Sequence, residues 1–276
     1  VGDYARLELN VVNNNKLGYS GIYVPMGSQF ELKGSGSLTI DCYAPAGIGI
    51  GNDFDHSYGD IAVDMEGRLE IISNSVDTLC IGGGYNEDDS EIDLRSGQIR
   101  IHMHSHNGLA IGSFNGDALI DISDKCKLEL TVSGIKVTGI GSCKGIATIS
   151  SSADIAISCT GAQAVAIGSL EDGEGSIYIK SGKLMMKMRS AKNSAIGAIK
   201  GNVNTRVENA DISIDSEGDE ITGIGDALGT GNVAIIDSAV TMKILAANPK
   251  DIGTGSGDLK IVNSTVSSLI NNKVIT

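Results

Sequence analysis

The chain has 276 residues, a formal net charge of −13 and 41% apolar residues, with 3 Pro, 3 Phe and no Trp. So acidic a surface disfavours nucleic acid and anionic membranes, because phosphate binding needs clustered Lys and Arg. No apolar run approaches the ~20 residues that span a bilayer, so no membrane partner is expected.

The chain begins almost directly in an alternating run, Arg6-Leu7-Glu8-Leu9-Asn10-Val11, with no signal peptide visible. Such a start is expected of a segment of a longer chain, or of a mature form. A tripeptide then recurs: Gly21-Ile22-Tyr23, Gly47-Ile48-Gly49, Cys80-Ile81-Gly82, Ala110-Ile111-Gly112, Gly139-Ile140-Gly141, Ala166-Ile167-Gly168, Ala195-Ile196-Gly197, Gly223-Ile224-Gly225 and Asp251-Ile252-Gly253. Successive central isoleucines lie 26 to 33 positions apart. Near-constant phase over the whole chain indicates a repeat architecture.

After each tripeptide come a variable loop and two alternating runs. Ile61-Ala62-Val63 precedes Leu69-Glu70-Ile71, Ile92-Asp93-Leu94 precedes Ile99-Arg100-Ile101, and Val233-Ala234-Ile235 precedes Val240-Thr241-Met242. Strict alternation marks a strand with one buried face, and each run is too short for a helix. A small residue separates the runs: Gly36, Gly67, Gly97, Cys126, Ala153, Gly182, Ala210 and Ser238. Small residues at a fixed offset fit a corner.

One repeat is therefore three short strands and three turns. The fold class expected is all-β: a single right-handed parallel β-helix over residues 1–276, with about nine coils of roughly 29 residues. Leu38, Leu69, Ile99, Leu128, Ile155, Leu184, Ile212 and Val240 should stack as one interior column, and the tripeptide isoleucines, Ile48 among them, as another. Helical repeats are excluded because the apolar spacing is two. A β-sandwich gives no reason for a phased repeat.

The five cysteines show no Cys-x-x-Cys spacing and read as small buried space-fillers. Function in a solenoid tends to sit where the repeat is interrupted. The longest loops after the tripeptide lie on adjacent coils, Gly51–Asp60 and Gly84–Glu91, and most of the aromatics lie in the N-terminal half. Asp53, Asp55, Tyr58, Tyr85, Asp88 and Asp89 are the candidate ligand-binding residues. The tyrosines would project and stack on a sugar ring while the carboxylates accept hydroxyl hydrogen bonds. The same carboxylates offer oxygen ligands for Ca2+, although the spacing matches no EF-hand. Otherwise no cofactor is expected.

Two further candidates lie on outward strand faces. Asp93 and Asp121 should occupy the same outward position on adjacent coils, about 5 Å apart. Carboxyls that close should perturb each other's titration and match the spacing of a retaining glycosidase. His102 and His104, followed by His106, should face outward as weak Zn2+ candidates, since i, i+2 rings on a strand stand about 7 Å apart. Glu70, Arg100 and Glu129 read as an alternating-charge ladder between coils.

The repeat Ala/Gly-Ile-Gly, Ile-x-Ile, Gly-x-Leu-x-Ile-x-Ile resembles the Gly-Ile-Gly-rich parallel β-helix segments of large secreted surface proteins from Gram-positive gut-type bacteria. The architecture resembles the pectate-lyase-like superfamily. That resemblance implies an extracellular or cell-surface location and a polysaccharide or cell-surface glycan as partner, in an adhesive or binding module. It does not choose a chemistry, because the fold hosts lyases, hydrolases and adhesins. A lyase-like set of Lys and Arg opposite a Ca2+ site is not found, nor is the tandem Asp pattern of polygalacturonase-like enzymes. The expected function is a non-catalytic carbohydrate-binding or adhesion β-helix. The alternatives are a polysaccharide lyase or glycoside hydrolase, and a purely structural stalk. Open ends of the coil should be covered by flanking domains or self-association.

Overall fold

Alternating runs with small corner residues wind this chain into a parallel β-solenoid of about nine turns. The computed structural model describes residues 6–11, 19–43, 45–87, 89–226 and 228–275. Each coil pairs in parallel with the next, and in the middle coils the extended backbone continues through the corners. Cys126–Ser151 and Asp154–Ile179 are thus single bent strands of 26 residues each. The C-terminal strand Lys273–Ile275 folds back antiparallel on Thr265–Ile270.

The core is a set of aliphatic columns. Leu38, Leu69, Ile99, Leu128, Ile155, Leu184, Ile212 and Val240 are in register on successive coils, as expected. All are essentially inaccessible. At Gly67 and Gly182 the corner leaves no room for a side chain. A Cβ on Gly67 would lie 1.8 Å from the Gly36 carbonyl oxygen, and one on Gly182 2.2 Å from that of Ala153.

The tripeptide column differs at one coil. Ile22 pairs with Ile50, and Ile50 with Ile81; the column then runs Ile111, Ile140, Ile167, Ile196, Ile224, Ile252. Ile48 pairs instead with Leu79, and Leu79 with Leu109. The stretch Ala46-Gly47-Ile48-Gly49-Ile50-Gly51 holds two overlapping Gly-Ile-Gly units, and backbone geometry selects the second. Gly51 has φ +137° and faces the Gly82 carbonyl, whereas Gly49 has no such conformation. With Ile50 in place the spacing narrows to 27 to 31 residues.

A third column runs Phe30, Ile61, Ile92, Ile120, Ile149, Ile177, Thr205, Val233, Leu259. Thr205 is its one polar member; it is 2% exposed and its hydroxyl has no hydrogen-bond partner. An orphaned buried hydroxyl costs about 1–3 kcal/mol. Thr205→Val keeps the shape and removes that cost. Its urea midpoint should rise by an amount worth about 1–2 kcal/mol; an unchanged or lower midpoint would show the hydroxyl to be satisfied. All five cysteines are free and buried. Burial pushes the thiols of Cys42, Cys126, Cys143 and Cys159 up to about 12, so they act as unreactive filler.

Candidate functional site

The variable loops do not stand free. They pair with each other one coil apart, building a wall beside the tripeptide strands. The Gly84 N–H donates to the Asp53 carbonyl at 2.8 Å, and the Asn115 N–H to that of Gly84 at 2.7 Å. Within each long loop an Asn closes the turn: Asn52 Nδ2 donates to Ser57 O, and Asn86 Nδ2 to Ser90 O, both at 2.7 Å. Behind the N-terminal part of the wall, Ile48, Leu79, Leu109 and Cys143 form a second apolar cluster outside the coil. Phe54 and Phe114 close it, edge to face, with ring centroids 5.1 Å apart. These two aromatics are structural.

Tyr58 does not project, contrary to expectation. It is fully buried and packs over Gly83, whose missing side chain leaves room for the ring. Burial pushes its phenol well above the ordinary range. It therefore offers no face to a sugar. Tyr85 is the exposed tyrosine of the pair, at 37%. Asp53 is turned to its own loop, accepting from the Asp55 N–H at 3.0 Å and pairing with His56 Nδ1 at 2.5 Å. That carboxylate raises the His56 pKa. Asp55 is exposed, Asp89 faces the acidic basin described next, and Asp88 lies outside the described residues. Among the described residues, the expected ligand set is not gathered into one surface.

The acidic basin, about 500 Å3, is lined by Glu31, Asp60, Asp89, Glu91, Asp93 and Arg95 among others. Asp93 and Asp121 are register partners, as expected. Each has a cation: Arg95 Nε donates to Asp93 at 2.5 Å, and Lys180 Nζ lies 3.7 Å from Asp121. Arg95 also reaches Glu31 at 2.9 Å. The carboxyl raised here is Glu91, through burial and then the charges of Asp93, Asp121 and Asp60.

His102, His104 and His106 face outward as expected, and His104 Nδ1 meets Ser133 Oγ at 2.9 Å. Among the described residues, no three His, Cys, Asp or Glu side chains are grouped to hold a metal ion. Glu70, Arg100 and Glu129 do line up across coils, with Arg100 Nε 2.8 Å from Glu129.

A second concavity, on the C-terminal coils, was not anticipated. In the C-terminal half the loops are shorter, and the gap between wall and sheet stays open as a groove of about 730 Å3. Its floor is the outward face of the tripeptide strands, where Lys136, Gln163, Lys192, Glu220 and Asn248 form one column, one residue per coil. Leu170, Ile199 and Leu228 line its wall. A smaller hollow of about 250 Å3 shares Leu170 and Glu171 with it and extends the line to Lys136, Lys144 and Phe114. The charged groups answer each other across coils: Lys136 pairs with Glu171, and Lys192 Nζ with Glu220 at 2.9 Å. This column was not singled out from the sequence, because the repeat pattern gives no sign that a wall would stand over it. Comparison with known proteins finds no family model, curated relative or solved structure that matches the chain.

Proposed function

We propose that the chain is a non-catalytic extracellular β-helix of a bacterial surface protein, a carbohydrate-binding or adhesion module. It holds a polysaccharide or cell-surface glycan along the groove on the tripeptide strands. The observation that carries this reading is the groove's periodicity: polar side chains recur once per coil on its floor, about 4.8 Å apart. A polymer that repeats along its axis can meet such a floor with the same contact several times over, and modest contacts then sum. Gln163 and Asn248 offer both amide donors and acceptors to hydroxyls, while Leu170, Ile199 and Leu228 offer apolar surface to ring C–H faces. The resemblance of the tripeptide repeat to Gly-Ile-Gly-rich segments of secreted bacterial surface proteins supports the extracellular location. Half-exposed Leu259 and Ile261 on the last coil, at 49% and 43%, support a neighbouring domain or a second copy there.

A pull-down and calorimetry panel of soluble polysaccharides tests the reading. At least one should bind, and Gln163→Ala combined with Asn248→Ala should weaken it about tenfold. Asp53→Ala combined with Tyr85→Ala should leave it unchanged. Loss of binding in the loop variant alone would move the site back to the N-terminal loops. No binding to any polymer would favour a purely structural stalk.

A second reading, a polysaccharide lyase or glycoside hydrolase at the acidic basin, is favoured by one observation. Glu91 is a carboxyl held above its ordinary range beside Asp93 and Asp121, as a general acid needs. The same panel, scored for reducing ends and unsaturated products, decides it: release abolished by Glu91→Gln would support an enzyme, and no release would remove it.

A further inference from the structure

We infer that the glycan held by this groove is uncharged. The inference rests on the groove reading above and deepens it. Its ground is that the charged side chains of the groove already answer one another. Lys136 and Lys144 both turn to Glu171, the second at 3.8 Å, and Lys192 Nζ lies 2.9 Å from Glu220. Lys250 Nζ donates to the Thr254 carbonyl at 2.7 Å. Lys200 also has a partner.

The two amides of the floor differ. Among the described residues, the side chains of Gln163 and Asn248 have no hydrogen-bond partner. They stand in one column on either side of the Lys192–Glu220 pair, three coils apart, or about 14 Å. Each offers donors and an acceptor without charge. On the wall beside them Leu228, 78% exposed, offers apolar surface. What the groove leaves open to a ligand is therefore neutral.

A sugar hydroxyl both donates and accepts, so it can join the ion pair without breaking it. It donates to the Glu220 carboxylate or accepts from the Lys192 ammonium, while the pair keeps its own contact. A carboxylate or sulfate at the same place must take Lys192 from Glu220 and then faces the like charge of Glu220. An ammonium group meets the converse cost at Lys192. Either loses its hydration for no free counter-charge, which lowers affinity. The net charge of −13 adds a long-range repulsion against polyanions.

Calorimetry on the full chain with four probes of matched length tests this. The probes are two neutral chains, a β-glucan and a galactomannan, with a homopolyuronate and a polyglucosamine. Groove binding is the part that weakens in Gln163→Ala combined with Asn248→Ala. At least one neutral chain should bind there at least about tenfold more tightly than either charged chain. Its affinity should change by less than about twofold as salt rises from roughly 0.05 to 0.5 M. Glu220→Gln takes the carboxylate from Lys192 and should narrow the preference over the homopolyuronate at least about fivefold at low salt; an unchanged preference would overturn the ion pair as its source. Equal or tighter groove binding of either charged chain would overturn the charge inference while leaving the groove reading intact. Binding by no probe and by no member of the wider polysaccharide panel, or only binding that Gln163→Ala with Asn248→Ala does not weaken, would overturn both.

Discussion

Gly141→Ala is expected to destabilise the protein by about 3–6 kcal/mol or to prevent folding, whereas Gly253→Ala should cost only about 1–3 kcal/mol. Both glycines close a tripeptide and both have positive φ, +136° and +127°. Any L-residue is strained there. They differ in what lies ahead of them. A Cβ on Gly141 would sit 2.0 Å from the Gly168 carbonyl oxygen, a backbone atom fixed by the next coil. A Cβ on Gly253 meets nothing within 4 Å. The same contact recurs up the stack, with Gly112 facing Gly141 at 1.8 Å and Gly168 facing Gly197 at 1.9 Å. Coil stacking thus supplies the larger share of the penalty at Gly141, and the difference between the two variants isolates it. Urea unfolding of both measures that difference, and equal losses would mean that the coils are not in this register.

Asp226→Asn should stabilise the protein near pH 7 by up to about 3 kcal/mol and have no effect near pH 4. Asp226 stands in a column with Ser113, Ser142, Ser169 and Ala198. It is inaccessible to solvent. Its Oδ2 accepts from the Val203 N–H at 2.6 Å, and its Oδ1 has no partner. Burial pushes its carboxyl from 3.8 up to about 6, against the opposing pull of the Val203 N–H and Lys250. An acid whose pKa is raised on folding penalises the folded state above that pKa, in its charged form. The penalty is full above about pH 6 and fades as pH falls towards 3.8. Asparagine keeps an acceptor for Val203 and carries no charge at any pH. Wild type and variant should therefore differ at pH 7 and converge at pH 4. Comparing the two cancels the titration of the other carboxylates. A difference independent of pH would mean that the Asp226 carboxylate is not desolvated.

The columns and corners were legible because alternation at period two fixes which side chains face inward, and a one-residue slip would turn a whole strand inside out. The sequence also sufficed to place Asp93 opposite Asp121, and Glu70, Arg100 and Glu129 in one row. Ile48 was misplaced because two Gly-Ile-Gly units overlap, and only the positive φ of Gly51 tells them apart. Tyr58 was misjudged because an aromatic in a polar loop reads as exposed. Its cover depends on Gly83 one coil away and on the pairing of neighbouring loops. The groove escaped for a related reason. Nothing in the alternation sets Lys136, Gln163, Lys192, Glu220 and Asn248 apart, and their enclosure depends on how the loops pair with each other. That pairing is set by backbone hydrogen bonds that carry no side-chain pattern.

Hydrogen–deuterium exchange of the full chain, with and without the tightest-binding polysaccharide, locates the ligand directly. The account predicts slowed exchange at the loop segments that wall the groove, 142–146, 169–171, 198–202 and 228–232, with residues 53–60 and 85–93 unchanged. Slowing confined to residues 53–60 and 85–93, at the N-terminal loops and the acidic basin, would contradict it.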